Sequence, residues 1–453
     1  MNQVNQRLPA WLRHAMYNLR GGFLVRPLVI ALTLGAAGAL LSWLEETVPA
    51  ISAWAPKVIF PSHADPQVAQ VILAGIGGSI MTVVSIVFAI LLMTLTLASM
   101  QFSPRIIVGF ARDGVTQWTL GVFLGTFSYC MAALPTARSL PHPFAPVVTV
   151  MGAMLLALIC VAWLLFFVHH ISQAISVNQI VDRIASETEA VVDEMMPRPR
   201  RQRHLAVDER VDELKWELAI PSVTSGYIRF IDVKRLAGLA KSYHVKIQAL
   251  RRVGHFVPQG VPLLRISRAE RATPERVDEL RAAFDIGPSR TLQQDVEFGV
   301  LQIVDIALKA ISPAVNDPST AISCVDQLAR ILIRVASREP PESVVYDPPG
   351  IVRLAVPWPS FERLLDSAFE QIRMYSKSDV AVSLRLLRAL GDISASTKDA
   401  EIHRLLADRA ARIVAGCAER LGEQEMTEIR TRFSGLHGVL GVEQEPRGRN
   451  ERV

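Results

Sequence analysis

Residues 71–100 read VILAGIGGSI MTVVSIVFAI LLMTLTLASM, thirty positions without a charged side chain. A straight helix over them is about 45 Å long at 1.5 Å per residue, more than the roughly 30 Å of hydrocarbon in a bilayer. The stretch therefore reads as a membrane-spanning helix that tilts, bends or projects beyond the lipid core. Within it Gly75, Gly78, Thr82, Ser85, Ala89, Leu92, Thr96 and Ser99 recur at alternating spacings of three and four. All but Leu92 are small or hydroxylated, so one helix face is narrow and mildly polar. Such a face serves close helix packing, its hydroxyls bonding back to the i−4 carbonyl. Alternatively it lines a pore, when several copies surround an axis. Pro104, just beyond, marks a break.

The neighbouring sequence repeats the pattern. No charge occurs between Asp65 and Arg105, between Asp113 and Arg138, or between Arg138 and Asp182. Four spans are expected, at about 23–44, 71–100, 115–134 and 144–168. Of the 453 residues 50% are hydrophobic and 20% charged, against roughly 25% charged for a soluble protein. The deficit is local: residues 1–175 carry 8 basic and 4 acidic groups, and the remainder 40 and 39. Arg7, Arg13, Arg20, Arg26, Arg105, Arg112 and the arginines after the fourth span fall on one side, so the positive-inside rule places both termini in the cytoplasm. A net charge of only +5 argues against a nucleic-acid partner. Cys130, Cys160, Cys324 and Cys417 have no paired spacing, which excludes zinc-ribbon and disulfide scaffolds. His169 and His170 are adjacent, poor geometry for one metal, and read as an interfacial polar cap.

The expected fold is an α-helical membrane domain over 1–170 joined to a cytoplasmic α+β domain. A connecting helix and basic linker occupy 171–203. Its Arg198, Arg200, Arg201 and Arg203 suit either anionic lipid or a solvated linker. A β-rich, barrel-like subdomain follows over 204–270, where Gly254, Val257, Gly260, Leu263 and Ile266 recur every three residues. That period resembles the half-motif of biotinyl/lipoyl-like barrels, but the acceptor Met-Lys is replaced by Ser267-Arg268. A mainly helical subdomain covers 271–444, with a hairpin around 347–350 and a helix over 274–284. Residues 445–453 are polar and expected to be disordered.

The most polar-patterned segment is 290–321. A helix to about Ile311 is expected to bury Val296, Val300, Ile303 and Val304 and to expose Asp295, Gln302, Asp305 and Lys309. The turn after it suits Asp317 as a cap and Pro318 as a first helical residue. Arg290, Asp295, Asp305, Asn316 and Asp317 form a candidate ligand or ion site, although turns use these residue types for local reasons too.

The strings TLASMQFSPR (96–105), LGVFLGTFSYC (120–130), FVHHISQAI (167–175), SGYIRFID (225–232) and RTLQQDVEFGVLQIVDIALKAISPAVNDPSTA (290–321) resemble the DUF2254 family of predicted bacterial membrane proteins. The resemblance implies a multi-pass inner-membrane protein with a large cytoplasmic domain and transfers no activity. No GxSxG, GxxxxGK[ST], HExxH or CxxC motif occurs, so neither an enzyme nor a cofactor is expected. The leading expectation is a homo-oligomeric channel or pore-like transport protein lined by the second span. The alternative is a non-conducting sensor or scaffold whose cytoplasmic domain binds a ligand or protein partner.

Overall fold

The computed structural model describes residues 25–48, 65–101, 114–138, 143–174, 176–197, 211, 214–347 and 350–440. They fall into two compact units, Met1–Ser176 and Val177–Val453.

The first unit contains α1 (Val25–Thr47), α2 (Pro66–Gln101), α3 (Gly114–Ala133) and α4 (Val147–Ala174). Each is long and apolar enough to cross a membrane. Helix α2 starts five residues before the expected span because Asp65 caps it, accepting from Gln67 N at 2.9 Å, and Pro66 takes the first helical position. Helix α3 is the central element, half buried where the other three bury about a fifth of their spans.

Glycine sets the distance between α1 and α3. A Cβ on Gly38 would stand 2.7 Å from the Tyr129 carbonyl oxygen, and one on Gly121 would stand 2.5 Å from Ile30 Cδ1. Gly125 is closed in the same way by Leu34. In lipid, where apolar side chains gain nothing by leaving their surroundings, such backbone approach is what holds helices together. At the end of α1 the buried Glu45 accepts from Val148 N (2.9 Å), Thr149 N (3.1 Å) and Thr149 Oγ1 (3.0 Å). It thus caps α4, satisfying first-turn N–H groups beside the positive end of the helix dipole. Glu46 pairs with Arg138 next to it.

The second unit opens with α5 (Val177–Met195). Then follow β1 (Leu218–Pro221), β2 (Gly226–Ile231), α6 (Val233–Ser242), β3 (Ile247–Ala249), β4 (Phe256–Val257), β5 (Pro262–Ile266), α7 (Pro274–Arg281) and β6 (Phe284–Gly287). The remainder is α8 (Val296–Ala310), α9 (Pro318–Ala336), β7 (Val344–Asp347), β8 (Ile351–Ala355), α10 (Phe361–Tyr375), α11 (Val380–Ala395), α12 (Ala400–Ala418) and α13 (Glu423–Leu440). The strands form two sheets, ordered β1-β5-β3-β8-β7 and β4-β2-β6. The larger sheet recruits β8 and β7 from beyond residue 270, with β3 and β8 its parallel pair. Ile220, Ile228, Leu236, Ile247, Leu264 and Leu354 from both sheets and α6 share one core. Gly254 (φ +87°) and Gly260 (φ +82°) turn the chain on either side of β4, a conformation that side chains with a Cβ resist. The helix expected over 274–284 ends at Arg281, because Phe284 starts β6, pairs with Ile231 and joins that core.

Helix α8 corrects the expectation of a one-sided amphipathic helix. Glu297, Gln302 and Ile306 are buried along with its apolar stripe, since α5, α9 and α10 pack around it. Helix α5 buries Ile180, Val181, Ile184, Val191 and Val192. At roughly 1.5–3 kcal/mol for each fully buried aliphatic side chain, this docking is worth at most about 15 kcal/mol.

The glycine contacts give a direct contrast. Gly38→Val is expected to destabilise the bundle by about 1–3 kcal/mol through overpacking against the α3 backbone. Gly75→Val, whose Cβ meets nothing within 4 Å, is expected to leave the fold intact. Thermal unfolding of the two variants in detergent checks this, and equal midpoints would contradict it.

Candidate functional site

The small and hydroxylated face of α2 points away from the other described helices of the first unit. Gly75, Gly78, Thr82, Ser85, Ala89, Leu92 and Thr96 are all exposed, whereas Leu73, Ile80, Val84 and Val87 on the other side are buried. The side chain of Ser99 lies outside the described residues. A Cβ on Gly75 or Gly78 would meet open space. The hydroxyl protons are satisfied within the helix: Thr82 donates to the Gly78 carbonyl (3.1 Å), Ser85 to Met81 (3.0 Å) and Thr96 to Leu92 (2.8 Å). Each oxygen keeps acceptor capacity for the outward side. Among the described residues, close packing in the first unit uses Gly38 of α1, Gly77 of α2, Gly121 and Gly125 of α3 and Gly152 of α4, and the face of Gly75 and Gly78 takes no part in it.

In the second unit the candidate residues separate into two groups. Arg290 forms a fork on Asp295, Nε to Oδ2 at 2.7 Å and Nη2 to Oδ1 at 2.8 Å. Asp295 also accepts from Phe298 N at 3.0 Å, capping α8. Gly254 lies against this fork: a Cβ there would stand 2.7 Å from Arg290 Nη2 and collide with the Asp295 carboxylate. Asp317 caps α9, accepting from Thr320 N (3.1 Å) and Thr320 Oγ1 (2.6 Å), and these bonds hold its carboxyl below the usual range. Asn316 beside it is exposed and left-handed, with φ +49°. The 15 residues of α8 separate the two caps by about 22 Å, and Asp305 lies part-way along. The five residues do not converge on one point.

What surrounds Arg290 and Asp295 is a network whose centre is Glu297, with only 4% of its side chain exposed. Its carboxylate accepts from Arg252 Nη2 (2.9 Å), Arg363 Nε (2.8 Å), Ser367 Oγ (3.0 Å) and Arg290 Nη2 (3.4 Å). Burial pushes the carboxyl up, but Arg252, Arg363 and Ser367 outweigh it and bring it down to about 2. The nearby His255 imidazole is held below its ordinary value by burial and then by Arg252. Arg252 and Arg363 lie 45 and 66 residues from Glu297, so no local pattern reveals the network. The available signal is the acid itself, set among Val296, Phe298 and Val300. Beside it, a hollow lined by Met195, Arg252, Gln294, Asp295, Pro341 and Trp358 has room for about one water molecule. Among the described residues no group of His, Cys, Asp and Glu is arranged to hold a metal. Arg198, Arg200, Arg201 and Arg203 lie outside the described residues.

The Glu297 carboxyl, depressed from 4.5 to about 2 on folding, stabilises the unit fully above pH 4.5 and progressively less as pH falls toward 2. The shift corresponds to about 3 kcal/mol at neutral pH. In Glu297→Gln, stability measured by denaturant unfolding is expected to fall at pH 7 and to lose that share of its acid dependence. An unchanged acid profile would contradict the assignment.

The predicted-membrane-protein family DUF2254 matches residues 20–392. Uncharacterized proteins of Mycobacterium bovis and Mycobacterium tuberculosis are each 33% identical over 396 residues, covering 84% of this chain and 73% of theirs. No solved structure matches the chain. With the family model covering four membrane-length helices and most of the α/β unit, the chain belongs to the DUF2254 family of predicted membrane proteins.

Proposed function

We propose that this protein is a homo-oligomeric channel or pore-like transport protein of the bacterial inner membrane, with both termini and the α/β unit in the cytoplasm. The observation that carries the proposal is the outward, chargeless face of α2. A side chain at Gly75 or Gly78 would meet no described residue, the hydroxyls of that face bond only within the helix, and between Pro66 and Gln101 the helix carries no Asp, Glu, Lys or Arg. Copies of α2 around an axis would present a ring of small groups and hydroxyl oxygens at each level, a surface that water and small ions wet. The family membership supports the membrane setting. The protein acts without a catalytic step in this proposal, and Arg198, Arg200, Arg201 and Arg203 contact anionic lipid.

A non-conducting sensor or scaffold is the second reading, favoured by the exposed turn Pro313–Asn316, where Val315 is 52% exposed. Partner binding that is lost in Asn316→Ala, in a protein that passes no ions, would select it.

Ion flux from liposomes containing the full chain tests the proposal. Under voltage or osmotic challenge the wild type is expected to conduct, and Gly78→Leu, which fills the pathway, to reduce flux on the order of tenfold. Its unfolding midpoint is expected to stay at the wild-type value, because a side chain at Gly78 meets no described residue within 4 Å. Absence of flux under every stimulus would overturn the proposal.

A further inference from the structure

We infer that His255 makes the Glu297 network an acid-operated clasp: when the imidazole takes up a proton, the network gives up Arg363 and the first turns of α10 come free of α8. The clasp lies wholly within the second unit and operates whether or not the protein conducts.

The backbone fixes where the imidazole sits. Ile228 N donates to His255 O at 3.0 Å, Gly254 N donates to Ile228 O at 2.8 Å, and His255 N donates to Arg252 O at 3.2 Å. The residue is thereby pinned against β2, and its neighbour Gly254 lies against the fork of Arg290 and Asp295. His255 Nδ1 is buried with no hydrogen-bond partner among the described residues. A neutral imidazole can leave that nitrogen unprotonated. An imidazolium carries a proton on both nitrogens and needs a second acceptor.

The carboxylates of the network are already committed. Asp295 accepts from both prongs of Arg290 and from Phe298 N. Glu297 Oε2 accepts from Arg252 and Arg290, and Oε1 from Arg363 and Ser367. Arg251 and Arg252 in the β3–β4 connection, Arg290 before α8 and Arg363 of α10 thus set four cations against two carboxylates. On β2 the next residue, Arg229, is paired with Asp285 of β6 at 2.6 Å. Burial, followed by Arg252, holds the imidazole below its ordinary value of 6.5, with Glu297 pulling the other way. The folded unit therefore keeps this share of its stability above pH 6.5 and loses it as pH falls below that. Glu297, at about 2, stays charged throughout that window.

A fifth cation is accommodated by drawing Glu297 toward it and releasing the arginine that water solvates most readily. The side chains of Arg252 and Arg290 are 11% and 15% exposed, that of Arg363 62%. A buried guanidinium cannot leave its carboxylate without a large desolvation cost, and an exposed one can. Arg363 is therefore the partner that leaves, and the ionic tie between α8 and α10 goes with it.

Amide hydrogen exchange on the full chain in nanodiscs tests this, read at pH 7.5 and 5.5 with the intrinsic pH dependence of exchange divided out. In the wild type, exchange in 361–368 is expected to be on the order of fivefold faster at the lower pH. In His255→Asn it is expected to be the same at both. Should that variant fail to fold, Arg363→Gln, altered at an exposed position, is expected to exchange fast in 361–368 at both pH values. A wild-type segment indifferent to pH would overturn the inference. So would an equal acceleration in His255→Asn, or a pH response that persists in Arg363→Gln.

Discussion

The contact on which the membrane unit depends is the approach of α1 to α3 at Gly38, Gly121 and Gly125. Lipid tails are as apolar as leucine, so helices in a bilayer associate through close backbone contact and hydrogen bonds rather than by escaping water. Here the glycines supply the first and Glu45, capping α4, supplies the second. With α3 enclosed by its neighbours, α2 is held by its bulky side, Leu73, Ile80, Val84 and Val87. Its small side is left facing outward. Gly77, on the inner side of α2, packs against Met131 and Cys130, whereas Gly75 and Gly78 meet no described residue, which makes their face the candidate for contact with other copies or with a pathway.

The second unit rests on a comparable constraint of opposite chemistry. A carboxylate buried at Glu297 is tolerable only because three arginines and a serine converge on it. Removing Glu297 would leave Arg252 and Arg290 charged and largely buried, and the network ties the β3–β4 connection, the segment before α8, α8 itself and α10 together. Arg290 and Asp295 have their role in that body as fork and helix cap.

Much of this was legible in the sequence, and the exceptions are instructive. The four spans follow from charge-free length alone, because hydrocarbon tolerates few alternatives. Their use does not: the glycines at 121 and 125 form a small-xxx-small pattern, but only the structure shows that this pair, and not the longer stripe of α2, makes the intrachain contact. The turn glycines 254 and 260 were readable from their spacing, and both adopt positive φ. The two sheets were not, since β3 finds β8 about a hundred residues later and nothing local encodes that partner. Among the candidate site residues, Asp317 is identifiable as a cap because capping is local. Glu297 looked like one acid in an apolar run, and its partners come from distant segments.

On the proposed function, the outward face of α2 meets other copies of this chain around a shared axis. Single-particle imaging of the full-length protein in lipid nanodiscs addresses it most directly. A symmetric ring with the face of Gly75, Gly78, Thr82 and Ser85 turned toward the axis is the predicted result. A monomer, or an assembly in which that face is turned to lipid, would contradict the account.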